Sequence, residues 1–299
     1  MFSRLFGQFL LHEGYVTANT LSSALGRLDE VRPLIGMLAL AQGYMTPAQV
    51  EEINEAQKKQ DKRFGQLAIE KGYLTVEQLE SILSGQKSEL VLLGQILVRD
   101  GLLSHDGFLM ALEKYRKSAG LSEEGYEAVK ANDIDGVISS VLSGQPGSGR
   151  PVAESWASVF MKGVIRFVDP GAAIDPLAAE HYRDRVAFIQ RMRGDRSLFT
   201  FMAATEEVFT DLARRFSKFE IDGFDEMAEA AAGEFLNLVN GLFTVNRSDE
   251  GIELEMQPQQ RLTGSAKLPV KRPDVLLPLL LPKGILWAGL FLDTQPNLS

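Results

Sequence analysis

Apolar and polar positions in the first third of the chain follow a pattern that recurs. LFGQFLLHEGYVT (residues 5–17), LIGMLALAQGYMT (34–46), RFGQLAIEKGYLT (63–75) and LLGQILVRDGLLS (92–104) share one layout. Each has an apolar run around a glycine, a second glycine, two mostly apolar residues and a hydroxyl. The first glycine is Gly7, Gly36, Gly65 or Gly94, and the second is Gly14, Gly43, Gly72 or Gly101, so both series step by 29 residues. One fixed period of this length is the mark of a tandem repeat. The second glycine suits the left-handed position just past a helix. Thr17, Thr46, Thr75 and Ser104, each three residues on, suit the N-cap of the next helix. Pro47 and Gln49 after Thr46, and Gln78 after Thr75, extend this to capping boxes. Leu79, Ile82 and Leu83 then follow at helical spacing. Each unit therefore predicts a short helix, a glycine turn and a longer helix. One such pair cannot bury its apolar face alone, whereas four stacked units can.

The pattern changes twice further on. Residues 119–151 predict modest helices and end in SGQPGSGRP (143–151), a linker by composition. Beyond it, Trp156, Val159, Phe160, Val164 and Phe167 fall on one side of a helix. RVAFIQRMRGDRSLFTFMAAT (185–205) alternates about Gly194-Asp195 as a β-hairpin does. FTDLARRFS (209–217) and DEMAEAAAGEFLNLVNGLF (225–243) predict helices, and GIELEMQ (251–257) a strand. VLLPLLLPKGILWAGLFL (275–292) is long enough to cross a bilayer. Its centre, Pro282-Lys283-Gly284, is a turn signature, so it predicts two buried strands joined as a hairpin. The expected fold class is multidomain: an all-α tandem repeat of four 29-residue helical hairpins, then an α+β domain. The expected boundaries are 1–118 for the repeats, 119–151 for the connector and 152–299 for the α+β domain.

Composition narrows the function classes. At 299 residues, 45% of them hydrophobic, the chain has material for two cores. A net charge of −9 argues against a nucleic-acid partner, which needs a basic stripe. The chain has no cysteine, which removes disulfides, thiolate metal sites and cysteine nucleophiles and fits a reducing compartment. His12, His105 and His181 are scattered, and no metal-ligand spacing or nucleophile elbow is present. A soluble, cytoplasmic protein is expected.

One helix carries candidate chemistry. At 100° per residue, Ala230, Glu234, Asn237 and Gly241 share a narrow stripe. Ala231, Phe235, Leu238 and Leu242 lie roughly a quarter turn away, with Leu236 and Val239 widening the apolar side. Two readings stand at this point. Glu234 and Asn237 are a solvated polar face, or they are a carboxylate and a carboxamide offered to a partner among small neighbours.

Two resemblances bear on this. The Arg63-Phe64-Gly65 start, the glycine seven residues later and the closing Gln86 resemble the MshEN motif. That motif belongs to the N-terminal domain of type II secretion and type IV pilus assembly ATPases, and the resemblance covers residues 4–116. It implies cyclic di-GMP as a ligand, with Arg63, Gly65 and Gln86 as binding residues, since a guanidinium stacks on guanine or forks onto phosphate. The other units have Leu5, Leu34 and Leu92 at the arginine position, and only the second has a closing glutamine, Gln57. The chain contains no Walker A motif. The second resemblance is in GEFLNLVNG (233–241), which is similar to the E-x-x-N-x-x-x-G signature of the CheC/CheX/FliY chemotaxis phosphatases. The preceding helix and hairpin, Pro258 after it and the closing hairpin resemble the CheX type over 152–296. The family often has Asp or Ser four residues before the glutamate, where this chain has Ala230. The resemblance implies a protein aspartyl-phosphate phosphatase acting on a phosphorylated CheY-like receiver. The receiver brings the acyl phosphate, Mg²⁺ and a lysine. Asn237 then orients the attacking water and Glu234 pairs with the lysine. The alternatives are a non-catalytic scaffold and a cyclic di-GMP-binding adaptor whose CheX-like part serves to form a homodimer.

Overall fold

The computed structural model describes the chain apart from residues 1, 85–87, 119–121, 132, 144–149, 176–177, 179–181, 184, 195–196, 263–267, 269–271 and 293–299. It divides into two compact units, Met1–Asp133 and Ile134–Ser299. The described part of the first is helical: α1 (Phe2–His12), α2 (Ala18–Gly26), a 3-10 turn (Leu28–Glu30), α3 (Ile35–Ala41), α4 (Pro47–Gln57), α5 (Phe64–Glu70), α6 (Val76–Ser84), α7 (Glu89–Arg99), α8 (His105–Ser118) and α9 (Glu123–Ala131).

The local signals act as their chemistry requires. Gly14, Gly43, Gly72 and Gly101 all take positive φ, between 70° and 74°, a conformation that a side chain would strain. The N–H groups of Gln49, Gln78 and Gly107 donate to the hydroxyls of Thr46, Thr75 and Ser104. The side-chain oxygens of Gln49 and Gln78 accept in return from Thr46 N and Thr75 N, at 2.8 and 2.9 Å. The earlier glycine of each series has a different task. Gly7 lies against Leu21, Gly36 against Val50, Gly65 against Leu79 and Gly94 against Phe108, always a residue 14 positions on. A Cβ on Gly7 or Gly65 would come within 2.7 or 2.8 Å of the leucine, and one on Gly94 would enter the Phe108 ring. These glycines set the closeness of neighbouring helices.

The packing is closed and does not run in chain order alone. Helix α1 lies on α7 and α8, while α3 meets α4, α5, α6 and α7. Helix α7 is the centre, and its residues 90–97 are all buried, as a helix surrounded by others must be. Its buried polar residue, Gln95, accepts from Leu34 N at 2.8 Å and donates to Arg32 O at 2.9 Å, which fixes the chain entering α3. Phe6, Phe9, Phe108 and Tyr115 stack and cross where α1 meets α8. The ion pair Lys114–Glu13 adds to the same seam, and Arg27–Asp100 joins the C-terminal ends of α2 and α7.

The second unit contains α10 (Ile134–Ser143), α11 (Arg150–Phe167), β1 (Ala173–Ile174), β2 (Val186–Gly194), β3 (Leu198–Ala204), α12 (Glu206–Ser217), α13 (Glu226–Asp249), β4 (Leu254–Met256), β5 (Gln260–Arg261), β6 (Val275–Leu281) and β7 (Gly284–Leu292). The sheet order is β1-β6-β7-β3-β2-β4, with β5 also on β2, and every pairing is antiparallel. Both expected hairpins are present: Val186 pairs with Ala204, and Leu281 with Gly284 across Pro282-Lys283. The turn residues 195–196 of the first hairpin, and 144–149 of the expected linker, lie outside the described residues. Helices α11, α12 and α13 cover one face of the sheet, where Phe188 meets Phe209 edge-on at 5.0 Å. Tyr182, Ile189, Phe201, Trp287 and Phe291 fill the other face. Burial on both faces explains why β6, and β3 apart from Thr200, read as continuous apolar runs rather than alternating ones. Pro278 is tolerated inside β6 because its carbonyl accepts from Asp175 N on the β1 side. Its nitrogen faces that same side, beyond the end of the short β1. Helix α10 packs on α11, where Asp135 accepts from Ser158 Oγ at 2.6 Å and from Lys162 at 2.9 Å. No helix among the described residues is long and apolar enough to cross a membrane.

The glycine contacts predict opposite signs for one substitution type. Gly94→Ala is expected to destabilise the first unit by about 1–3 kcal/mol through overpacking against Phe108. Gly26→Ala, with open space around it, is expected to be neutral or to stabilise by roughly 0.5 kcal/mol. Urea denaturation followed by circular dichroism checks both. Tryptophan fluorescence reports the second unit separately, since Trp156 and Trp287 both lie there.

Candidate functional site

Helix α13 presents the two residues singled out from the sequence. It starts at Asp225, whose carboxylate accepts from Ala228 N at 2.9 Å, and it runs to Asp249, six residues past its expected end. Its buried side carries Ala228, Ala232, Phe235, Leu236, Val239 and Phe243. Phe235 is held between Phe160 of α11 and Phe216 of α12, at 5.9 and 5.5 Å between ring centres. This turns the helix slightly from the expected face. Ala231 and Leu238 are half-buried, and Leu242 is 45% exposed. The rotation follows from what packs against the flank: Gln259 lies on Gly233 and Met256 on Gly241, so a strand segment approaches where the helix has no bulk.

Glu234 and Asn237 are brought together on the outward side. Asn237 Nδ2 faces Glu234 Oε2 at 3.4 Å, with Glu234 exposed and Asn237 half-buried. Around them the outward face is small or apolar: Ala230 is exposed, as are Met227, at 53%, and Val245, at 59%.

Behind Asn237 lies a chain of side-chain hydrogen bonds leading into the core. Gln190 Nε2 donates to Asn237 Oδ1 at 2.8 Å and to Gln257 O at 2.9 Å. Asn240 Nδ2 donates to Gln190 Oε1 at 2.7 Å and to Thr200 Oγ1 at 2.8 Å. Trp156 Nε1 donates to Asn240 Oδ1 at 3.0 Å. Both hydrogens of each buried carboxamide nitrogen are used, as a dry site demands. Gln190 and Thr200 face each other across the β2–β3 pair, so the hairpin register places them together.

The edge of the sheet is shaped to this purpose. Phe188 and Ile189 pair with Arg261 and Gln260, while Met192 and Arg193 pair with Met256 and Glu255. Between these pairs, two residues of β2 oppose three (257–259), which makes a β-bulge. Pro258 sits in it and has no N–H to donate. The bulge frees Gln257 O to accept from the Gln190 side chain. It also opens a cavity of about 290 Å³ lined by Ile189, Gln190, Arg191, Arg193, Gln257, Pro258 and Gln260. Arg261 pairs with Glu229 of α13 and stacks on Phe224, its carbon 5.0 Å from the ring centre.

The sequence reading missed Gln190, Thr200, Asn240 and Trp156 as site residues. A signal was present: Gln190 and Thr200 sit at the strand parity of Phe188, Met192, Leu198 and Met202, all buried. Asn240 interrupts the apolar stripe of α13 three residues past Asn237. In the first unit, Arg63 is exposed at the N-cap of α5, its N–H donating to Gln66 Oε1 at 3.1 Å. Gly65 is buried under Leu79, and Gln86 lies outside the described residues. Leu5 and Leu92, at the equivalent of Arg63, are core residues, whereas Leu34 is exposed.

Asn240→Leu would strand the Trp156 N–H and Gln190 Oε1 in the interior and remove one of the two bonds of Thr200 Oγ1. Each unsatisfied group costs on the order of 1–3 kcal/mol, so a loss of about 3 kcal/mol or more is expected. Urea denaturation read through tryptophan fluorescence measures it, and Trp156 itself reports the site.

No family model matches this sequence, and no curated protein matches it either. Several solved structures are similar to about half of the chain. One is the chemotaxis protein CheX from Vibrio vulnificus, at 12% identity and a TM-score of 0.42, covering 50% of this chain and all of that one. Another is a CheC-like superfamily protein from Shewanella sp. PV-4, at 12% and 0.37, covering 48% of this chain and 97% of that one. A third is the CheX–CheY–BeF3–Mg complex from Borrelia burgdorferi, at 14% and 0.34, covering 47% of this chain and 97% of that one.

Proposed function

We propose that this chain docks a phosphorylated CheY-like receiver on the outward face of α13 and hydrolyses its phospho-aspartate. The observation that carries the proposal is Asn237. Its carboxamide is anchored from behind at 2.8 Å, yet it reaches an exposed helix face beside a carboxylate. A group placed merely for solvation has no need of a buried anchor. The flanking Met227, Ala230, Leu242 and Val245 offer a small, apolar surface on which a partner loses little polar hydration. The receiver and the residue roles come from the resemblance of GEFLNLVNG to the chemotaxis phosphatases.

The chemistry is positioning. The receiver supplies the acyl phosphate, its Mg²⁺ and a lysine. Water attacks phosphorus in line, the bond from phosphorus to the aspartyl oxygen breaks, and inorganic phosphate and the free carboxylate leave. Asn237 holds the water in line, and Glu234 pairs with the lysine to fix the docking. Neither role requires proton transfer to this chain.

A second reading, a non-catalytic receiver-binding scaffold, draws on Ala230. It stands exposed on the site stripe where the phosphatases often carry Asp or Ser. One assay separates the two. With a phosphorylated CheY-type receiver, the chain is expected to accelerate phosphate release. Asn237→Ala is expected to lower that rate on the order of a hundredfold, and Glu234→Ala to raise KM. Binding without acceleration selects the scaffold.

For the first unit we propose a regulatory or docking role built on four helical hairpins. Two regularities support the four-unit reading: the four positive-φ glycines, and the constant 14-residue offset between each earlier glycine and its contact. Cyclic di-GMP is the ligand this reading tests, through Arg63, which is exposed where Leu5 and Leu92 are buried. Saturable binding of labelled cyclic di-GMP, lost in Arg63→Ala, is the expected result. No saturable binding removes the ligand and leaves docking.

A further inference from the structure

The buried amides have a direction, and it can be derived from the two ends. An indole nitrogen only donates, and a carboxylate only accepts. Trp156 Nε1–H therefore requires the oxygen of Asn240 on its side, 3.0 Å away. That turns Asn240 Nδ2 toward Gln190 Oε1 and Thr200 Oγ1. The Gln190 oxygen is then engaged, so its nitrogen points outward to Asn237 Oδ1 and Gln257 O. Gln257 O is a backbone carbonyl and accepts only, which demands the same orientation of Gln190 independently. Asn237 is left with Nδ2 outward, and there it meets the acceptor Glu234. Reversing any one amide would set oxygen against oxygen at one contact and nitrogen against nitrogen at another.

We infer that Gln190 is a positioning residue: it turns the Asn237 carboxamide so that its N–H, and not its carbonyl, faces a docked partner. The inference rests on the proposed function for its catalytic consequence, though not for the orientation itself. An outward N–H donates to the oxygen of an attacking water and leaves that water's other lone pair free to aim at phosphorus. An outward carbonyl would instead accept a water hydrogen, without selecting which lone pair points at the receiver. Gln190 acts from β2, behind Asn237, and its own nitrogen hydrogens are both spent on Asn237 and Gln257. Its effect on the reaction therefore passes through Asn237.

Two measurements test this. The first is neutron diffraction from the perdeuterated full chain, which separates ND₂ from oxygen on each amide. Deuterium on the Glu234-facing atom of Asn237 and on the Asn237-facing atom of Gln190 is expected. Deuterium on the opposite atoms overturns the inference whether or not the chain is a phosphatase. The second is Gln190→Glu, which keeps shape and removes the donor. In the folded variant, kcat for phosphate release is expected to fall tenfold to a hundredfold while KM for the phosphorylated receiver holds. The rate is expected to recover at lower pH, where the introduced carboxyl regains a proton to donate. A merely structural role would change the folded fraction with pH but leave kcat per folded molecule unchanged. A folded Gln190→Glu with wild-type kcat overturns the positioning role. If Gln190→Glu fails to fold, the neutron result decides alone. A wild-type chain that accelerates no receiver defeats the proposed function, and the diffraction result still decides the amide orientation.

Discussion

The indole of Trp156 has one hydrogen to give and nothing with which to receive. Buried between α11 and α13, it must find an acceptor, and Asn240 is that acceptor. The line of hydrogen bonds from this indole out to Asn237 follows from this demand. The oxygen of Asn240 is committed inward, so its nitrogen must be satisfied further out, and two strands have to supply the acceptors. Gln190 and Thr200 do so only because the β2–β3 register sets them opposite each other. The same register keeps Phe188 and Met202 on the helix-facing side, so apolar packing and polar satisfaction select one alignment. A slip by one residue would lose both at once. The edge strand contributes too. Its bulge leaves Gln257 O available for the second hydrogen of Gln190, so both hydrogens of that amide are used.

The first unit depends on a simpler constraint, absence of bulk. The earlier glycines bring helices close enough for a leucine, a valine or a phenylalanine to lie over the backbone. The later glycines turn the chain sharply enough for the next helix to begin within a few residues. Helix α7 gains from both. It can be apolar on all sides because close neighbours surround it, and its buried Gln95 anchors the backbone entering α3.

Much of this was readable in the sequence where the determinant is local. Glycine turns, N-caps and capping boxes need only residues a few positions apart, and they were assigned from spacing. The hairpins at 185–205 and 275–292 were readable from turn residues and apolar runs. Glu234 and Asn237 shared a stripe because helix geometry is fixed. What escaped depends on distant partners. That α1 lies on α7 and α8 is set by which apolar faces fit, not by any local pattern. Gln190 and Asn240 are 50 residues apart, and their meeting needs the sheet register and the rotation of α13 together. That rotation was itself misjudged, since Leu242 looks like core until the Phe235 contacts decide which way the helix turns. Gln190 and Asn240 also belong to residue types that normally stand in solvent, so their burial shows only against the parity of their neighbours.

The bulge at 257–259 has an effect beyond holding an amide. A strand on the border of a sheet exposes a ladder of donors and acceptors that another chain can extend. Here the border is two short strands with a kink between them, and Pro258 withholds one donor at the kink. A second molecule seeking to pair there finds a run too short and too bent to continue. The irregularity that orders the interior thereby also guards the surface against fibrous self-association.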